Sequence, residues 1–373
     1  MNIGQKIIDI VRGKKNKKVK RVKKTKISFE QFIKKREVVD DSKKIITVAG
    51  FSYSGASALI DMFSEFRNVT VFGATLSDFL EKNKLSFQQY TVKLFLKDNS
   101  IFSVIDAFEN NVDELQQDYI IKQFIKYIYK YANKKKMIYA NFFTDLHIDF
   151  LENILELDDY TKDFMKGKKY PVIYDKQEAI FNDCCFIKGE NNGRYVFYKF
   201  KKMSIDEFNN HVKNYFKDFF NNINISGTLV MDQFFKYTNL LDRINKYLDK
   251  PIKEICLYRD PLDQFVTNYI FNTKFANNAP IDFIEHYKEV IIPIINSESP
   301  NRLLIRFEDL VLDYENTLKS ICDFVGLDPN DQIYKQQIFQ PNISKNNIGI
   351  YKSFQNKVLI EKIKNELSEY CYI

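Results

Sequence analysis

Residues 44–66, KIITVAGFSYSGASALIDMFSEF, combine a continuous apolar run, a loop with two glycines and a second apolar pattern. The run IITVAG is of the kind that a buried parallel strand needs, because both faces of such a strand are covered. After the loop, Leu59, Met62, Phe63 and Phe66 recur at helical spacing, so one face of the predicted helix is apolar. A buried strand that leads directly into a helix predicts a parallel sheet with crossover helices.

The loop of this segment, GFSYSGAS, has the frame of a phosphate-binding loop. Gly50 and Gly55 permit backbone angles that side chains exclude, and the first N–H groups of the following helix converge on one place. Such a loop can bind an anion without a charged side chain, but a serine-capped turn without a ligand has the same pattern. ATP- and GTP-binding loops have a lysine after the second glycine, where this chain has Ala56.

Further strands alternate with helical patterns along the rest of the chain. The strand candidates are 68–73, 227–232, 253–260 and 302–309, and each of the last three leads into a helical pattern. We therefore predict an α/β fold with a central parallel sheet flanked by helices.

The region 80–222 is mostly helical in pattern, and we expect it to form a cap or insertion beside the sheet. Ser204 and Glu207 form a capping box at the start of one helix, and the stretch around 191–193 is typical of a hairpin turn. With this insertion included, residues 41–373 are predicted to be a single domain.

The basic charge of the chain is concentrated in an N-terminal tail, predicted to span residues 1–40. The net charge is +7, yet residues 1–26 alone contain 11 Lys and Arg against one acid, and the remainder, with 45 basic and 48 acidic side chains, is −3. A short amphipathic start beside this polybasic run favours an anionic membrane surface. A solvated tail and a nucleic-acid arm are the alternatives, and nucleic acid is the least favoured.

The sequence predicts a cytoplasmic protein, with the tail allowing peripheral contact with the inner face of the membrane. There is no run of about 20 apolar residues and no signal-peptide pattern. The five cysteines have no spacing typical of zinc sites, so we expect reduced thiols and no metal.

Three distant segments change the interpretation of the glycine loop. RDPLDQFVT begins at Arg259, at the end of a predicted strand, and has Thr267 eight residues later. RFEDL follows a later strand, and SKNNIGIYKSF is a basic loop before the last helix. Their order and spacing resemble those of the sulfotransferases that use 3′-phosphoadenosine-5′-phosphosulfate (PAPS), and the bacterial carbohydrate-type branch most of all.

The resemblance implies a P-loop-like sulfotransferase fold, PAPS as donor, its bisphosphate (PAP) as product, and a set of nucleotide-binding residues. The first loop would bind the 5′-phosphosulfate, Arg259 and Thr267 the 3′-phosphate, and the C-terminal loop the rest of the nucleotide. The implied binding residues are Gly50, Phe51, Ser52, Tyr53, Ser54, Gly55, Ala56, Ser57, Arg259, Thr267, Lys345, Gly349, Tyr351 and Lys352.

This chain departs from the family pattern at Tyr53, where the family has a basic residue that contacts the phosphosulfate. In the first loop, Ser52 and Ala56 stand in place of a proline and a threonine of the family pattern. In the basic loop before the last helix, Ser344 and Asn346 stand in place of an arginine and a glycine. These changes leave two alternatives open, a kinase-like enzyme and a non-catalytic relative that only binds the nucleotide.

The resemblance also implies a sulfuryl acceptor, expected to be a hydroxyl of a carbohydrate or of a lipid-linked saccharide. Removal of its proton calls for a general base, and Asp232 and His147 are the candidates. Asp232 lies at the C-terminal end of a predicted strand, and ligands of open α/β sheets bind beyond the carboxyl ends of the strands.

Overall fold

A computed structural model describes residues 44–51, 53–72, 101–132, 140–157, 172–173, 186–189, 192–194, 198–222, 227–234, 239–271 and 280–372. The strands are β1 (Lys44–Gly50), β2 (Val69–Phe72), β3 (Val172–Ile173), β4 (Phe186–Gly189), β5 (Asn192–Arg194), β6 (Thr228–Asp232), β7 (Lys253–Tyr258) and β8 (Arg302–Arg306). The helices are α1 (Ala56–Phe63), α2 (Ile101–Glu109), α3 (Glu114–Ala132), α4 (Ala140–Ile154), α5 (Ile205–Asn222), α6 (Asn239–Asn245), α7 (Pro261–Ile270), α8 (Pro280–His286), α9 (Ile292–Ile295), α10 (Phe307–Leu312), α11 (Tyr314–Val325), α12 (Pro341–Ser344) and α13 (Lys357–Glu366).

Five parallel strands form the central sheet in the order β2-β6-β1-β7-β8. β1 lies in the middle, with Val48 opposite Asp232 of β6 and Gly50 opposite Leu257 of β7. The predicted parallel sheet flanked by helices is confirmed. The strands predicted over 253–260 and 302–309 end earlier, at Tyr258 and Arg306, because the chain turns into a helix at Pro261 and again at Phe307. Both helices have acidic residues in the first turn that favour a helix start.

The two faces of the sheet pack against different layers. Side chains of β1, β7 and β8 form one buried cluster with α1, α10 and α11. On the other face, Leu229 and Met231 of β6 belong to a second cluster with the helices α2–α6. A third cluster joins α7, α8 and α13 near the C-terminus. Val230, between Leu229 and Met231, belongs to the first cluster, as the two-residue period of a strand requires.

The helices α2–α5 account for most of what the structure describes between residues 101 and 222. The capping box is present in part, since the N–H of Glu207 donates to Ser204 Oγ at 3.2 Å. β4 and β5 pair antiparallel, with Gly189 opposite Asn192, so the predicted hairpin is present, but Asn192 and Gly193 belong to β5 and not to the turn. Within the described ranges, no helix is long and apolar enough to cross a bilayer. The basic tail, residues 1–26 and the rest of 1–40, lies outside these ranges, and the domain boundaries stay a prediction.

A buried carboxylate fixes the chain segment that leads to the C-terminal loop. Glu65, just after α1, is fully buried, and it accepts the backbone N–H groups of Gln336, Ile338 and Phe339 at 3.0, 2.7 and 2.8 Å. The side chain of Gln332 donates a fourth hydrogen bond at 2.7 Å. Burial raises the pKa of Glu65, and the hydrogen bonds oppose that rise. The segment is therefore attached to α1 through one side chain.

We expect Glu65→Ala to lower the free energy of unfolding by about 3 kcal/mol or more, because several buried donors lose their acceptor. Urea denaturation measures the change. The matched control is Glu315→Ala, which removes an exposed carboxylate paired with Lys335 at 2.6 Å and should cost less than about 1 kcal/mol. Equal losses in the two variants would contradict the anchoring role of Glu65.

Candidate functional site

The carboxyl ends of β1, β6, β7 and β8 bring the sequence motifs to one edge of the sheet. β1 is the strand at which the chain order changes direction, since β6 lies on one side of it and β7 on the other. Ligands of open α/β sheets bind outside the carboxyl ends of the strands at such a switch point. The loop after β1 therefore lies where a ligand site is expected from topology.

The glycines of this loop are required by close contacts. A Cβ on Gly50 would lie 2.6 Å from Ala56 Cβ and 2.7 Å from Ser54 Oγ. Gly55 has a φ of 98°, and a Cβ there would lie 2.5 Å from the ring of Phe307. The loop consequently folds back tightly over the end of β1.

Ser54 is the buried hydroxyl of the loop. Its side chain is fully buried, and its Oγ has no hydrogen-bond partner among the described residues. Ala56, also buried, begins α1, and Gly55 before it makes no side-chain cap, whereas Ser57 is exposed. A buried donor beside uncapped helix N–H groups suits an anion.

Tyr53 adopts a left-handed backbone conformation with a φ of 61°. Its ring stacks on that of Phe271 at the end of α7, with centroids 5.0 Å apart and planes 4° apart. The side chain is 39% exposed, so the hydroxyl is not confined to the core. Phe51 is half-buried and packs against the third cluster, and Ser52 lies outside the described residues.

Arg259 connects the glycine loop to α7 and to the C-terminal loop. The guanidinium is 4% exposed, and Nη1 donates to Tyr53 O at 3.3 Å and to Thr267 Oγ1 at 3.2 Å. Nη2 donates to the carbonyl of Asn347. The guanidinium carbon lies 5.1 Å from the ring centroid of Phe307. Burial lowers the pKa of Arg259, but neighbouring carboxylates oppose this, and arginine stays charged.

Three carboxylates surround the start of α7, and each accepts backbone N–H groups. Asp260 caps the helix by accepting from Leu262 at 2.7 Å and also accepts the N–H of Tyr372 at 2.8 Å. Glu308 accepts the N–H of Asp260 at 3.1 Å, and burial raises its pKa to about 7. Asp263 accepts from the C-terminal loop, and burial raises its pKa to about 6.

The C-terminal loop, defined here as residues 345–352, lies against α7 by backbone contacts. The N–H of Gly349 donates to Asp263 Oδ2 at 2.6 Å, and that of Tyr351 donates to Asp263 Oδ1 at 3.1 Å. Tyr351 is half-buried, whereas Lys345 and Lys352 are exposed. The four sequence motifs thus meet through direct contacts.

The two candidate bases have different surroundings. Asp232 ends β6 beside Val48 of β1 and is 8% exposed. His147 is fully buried on α4 among the helices, where Tyr215 forms a 3.2 Å hydrogen bond with its Nε2. Asp232 therefore shares the strand ends with the glycine loop, and His147 belongs to the interior of the helical cluster.

Sequence reasoning missed Asp263, Asn347, Phe271 and Phe307. The aspartate in the first turn of a helix looks like an ordinary helix-start residue, and the carbonyl of Asn347 acts through the backbone. Phe271 and Phe307 resemble core aromatics. Phe307 alone had a usable signal, since it lies inside the RFEDL motif. In the described part of the chain, no group of His, Cys, Asp and Glu could hold a metal.

The parallel sheet and the glycine loop at its switch point define a P-loop-like α/β fold. Residues 43–369 match the family model of the sulfotransferase domain, and the chain therefore belongs to the sulfotransferase family, whose members are transferases.

Two solved structures are similar to this chain. The sulfotransferase domain from the Synechococcus PCC 7002 olefin synthase is 10% identical, with a TM-score of 0.36, covering 88% of this chain and 97% of that one. The sulfotransferase domain from the curacin biosynthetic pathway is 12% identical, with a TM-score of 0.35, covering 87% and 98%. No curated protein matches the chain.

The contrast between two left-handed glycines gives a test of the loop. We expect Gly55→Ala to destabilise the protein by about 2 kcal/mol more than Gly349→Ala, because both strain the backbone but only the first drives a Cβ into Phe307. At Gly349 the nearest atom to an added Cβ is Lys352 Cδ at 3.7 Å. Urea denaturation of the two variants measures the difference, and equal costs would contradict the close fit at Gly55.

Proposed function

We propose that this protein is a PAPS-dependent sulfotransferase that moves a sulfuryl group to a hydroxyl of a carbohydrate or lipid-linked saccharide. The observation that carries the proposal is the guanidinium of Arg259, which is buried at the meeting point of the glycine loop, α7 and the C-terminal loop. A fixed cation at that junction suits a second phosphate, and a 3′-phosphate distinguishes PAPS from ATP.

The donor set fits a doubly phosphorylated nucleotide. Arg259 has five N–H donors, and its buried Nε has no hydrogen-bond partner among the described residues. Ser54 Oγ is likewise buried without one. Arg259 and Thr267 would hold the 3′-phosphate, for which the Thr267 hydroxyl would turn away from the main-chain carbonyl of Asp263. Ser54 with the first N–H groups of α1 would hold the 5′ end. Tyr351 would pack near the nucleotide.

PAPS supplies a sulfuryl group on a good leaving group, so the residues of the chain chiefly position and stabilise. The N-terminus of α1 directs its N–H groups and the positive end of its dipole toward the loop. Tyr53 contributes a neutral hydroxyl where the family pattern has a basic side chain. The positive potential at the loop must therefore come from these N–H groups and from cations elsewhere.

The proposed general base is Asp232. A base must come within hydrogen-bonding reach of the acceptor hydroxyl, and Asp232 lies at the strand ends beside β1. His147 also remains a candidate, with less support, because its ring is enclosed by the helices and bonded to Tyr215.

Titration calorimetry with adenosine 3′,5′-bisphosphate and with Mg-ATP tests the nucleotide class. We expect the bisphosphate to bind wild-type protein more tightly than Mg-ATP, and Arg259→Gln to weaken that binding roughly 10- to 100-fold by removing a charged contact. The matched control is Arg67→Gln, since Arg67 is exposed, and its affinity should be unchanged. Absence of bisphosphate binding would overturn the PAPS proposal, and preference for Mg-ATP would favour the kinase-like alternative.

The transfer step is tested with sulfur-labelled PAPS and a panel of saccharides and lipid-linked saccharides. Asp232→Asn should lower kcat by roughly 10²- to 10⁴-fold while leaving the bisphosphate Kd unchanged, because a base acts on the acceptor. The exposed Asp249→Asn should retain full activity. Bisphosphate binding without transfer to any acceptor would favour the non-catalytic alternative.

We also propose that the basic tail, residues 1–26, brings the enzyme to an anionic membrane surface, where a lipid-linked acceptor would be found. Each Lys or Arg near such a surface adds about 1 kcal/mol. The fraction of protein that co-sediments with vesicles containing 30% phosphatidylglycerol should therefore fall when residues 1–26 are deleted. It should also fall when salt is raised, because salt screens the attraction between the tail and the anionic surface. Unchanged sedimentation after the deletion would remove the argument.

A further inference from the structure

One carboxylate of α7 joins two segments of the site that are far apart in sequence. Asp263 is 1% exposed, and its two oxygens accept the N–H groups of Gly349 and Tyr351 at 2.6 and 3.1 Å. Gly349 has a φ of 73°, a left-handed conformation that glycine adopts without the strain that a side chain brings. Asp263 therefore holds the C-terminal loop through two backbone N–H groups, one before and one after Ile350.

The same aspartate also lies in the hydrogen-bond chain that contains the buried cation. The main-chain carbonyl of Asp263 accepts a hydrogen bond from the hydroxyl of Thr267 at 2.8 Å. Thr267 Oγ1 in turn accepts a hydrogen bond from Arg259 Nη1. Nη2 of Arg259 then donates to Asn347 in the C-terminal loop. The hydrogen bonds thus form a continuous ring through Asp263, Thr267, Arg259 and the C-terminal loop.

We propose that Asp263 is a positioning residue, which holds the C-terminal loop beside Arg259 so that both contribute to one nucleotide site. This inference rests on the proposed function. Each oxygen of Asp263 already accepts a backbone N–H, so the carboxylate acts through the loop rather than by contact with the nucleotide. Tyr351 and Lys352 belong to the loop, and their distance from Arg259 depends on this attachment.

The test compares Asp263→Asn and Asp263→Ser with the wild-type protein by calorimetry. The two N–H groups donate to different oxygens of Asp263, and in asparagine one of these oxygens is replaced by an amide nitrogen that cannot accept. We expect the bisphosphate Kd and the KM for PAPS to rise roughly 10- to 100-fold, with the KM for the acceptor unchanged. A merely structural role would reduce the active fraction and leave both constants of the folded protein unchanged. The exposed Asp249→Asn is the control.

Hydrogen exchange gives a second measurement that needs no nucleotide. In the wild-type protein the amides of Gly349 and Tyr351 should be protected, and this protection should be lost in the folded Asp263 variants while the strands of the sheet keep theirs. Unprotected amides in wild type, or a variant Kd within twofold of the wild-type value, would overturn the inference. If wild-type protein binds no bisphosphate, the proposed function fails, while exchange still decides whether Asp263 holds the loop.

Discussion

The site depends on one buried guanidinium. Arg259 follows β7, and its hydrogen bonds reach Tyr53 in the loop after β1, Thr267 in α7 and Asn347 in the C-terminal loop. These three acceptors are neutral oxygens. A buried cation is costly unless its donors are satisfied, so the structure around it must bring several acceptors to one point. The glycine loop, α7 and the C-terminal loop meet at Arg259 and supply these acceptors.

The carboxylates nearby do not simply cancel this charge, because each is held by backbone N–H groups. Asp260 caps α7 and Glu308 accepts the N–H of Asp260, while Asp263 accepts two N–H groups of the C-terminal loop. Burial is the largest influence on Glu308 and Asp263, and it raises the pKa of each. The carboxylates thus fix backbone around Arg259, and Nε of the guanidinium has no hydrogen-bond partner among the described residues. The acidic residues of the motifs are therefore part of the scaffold that orients the cation.

Patterns that are local in sequence predicted the fold well. The apolar runs of β1, β6, β7 and β8 identify buried parallel strands, whereas the order of the strands and the switch point at β1 come from the structure. The contacts that complete the site were not predictable, because they join residues with no shared periodicity. Asp263 and Gly349 are 86 positions apart, and Glu65 and Phe339 are 274 apart. The ring of Phe271 beneath Tyr53 is another example, since nothing in either segment specifies the stack.

In the proposed function, Tyr53 lies where the resemblance places a basic residue. A basic side chain at this place would contribute charge directly, whereas Tyr53 offers a hydroxyl and a ring fixed by Phe271. Its carbonyl accepts a hydrogen bond from Arg259, so the cation proposed to bind the 3′-phosphate also fixes the backbone of the loop. Nη1 has two hydrogens, and both are used by Tyr53 O and Thr267 Oγ1. A ligand that bound Nη1 would have to displace one of these contacts, whereas a ligand that bound through Nε would leave the loop as it is. Binding of a ligand to Nη1 would therefore alter a contact that holds the backbone of Tyr53, whereas binding to Nε would not.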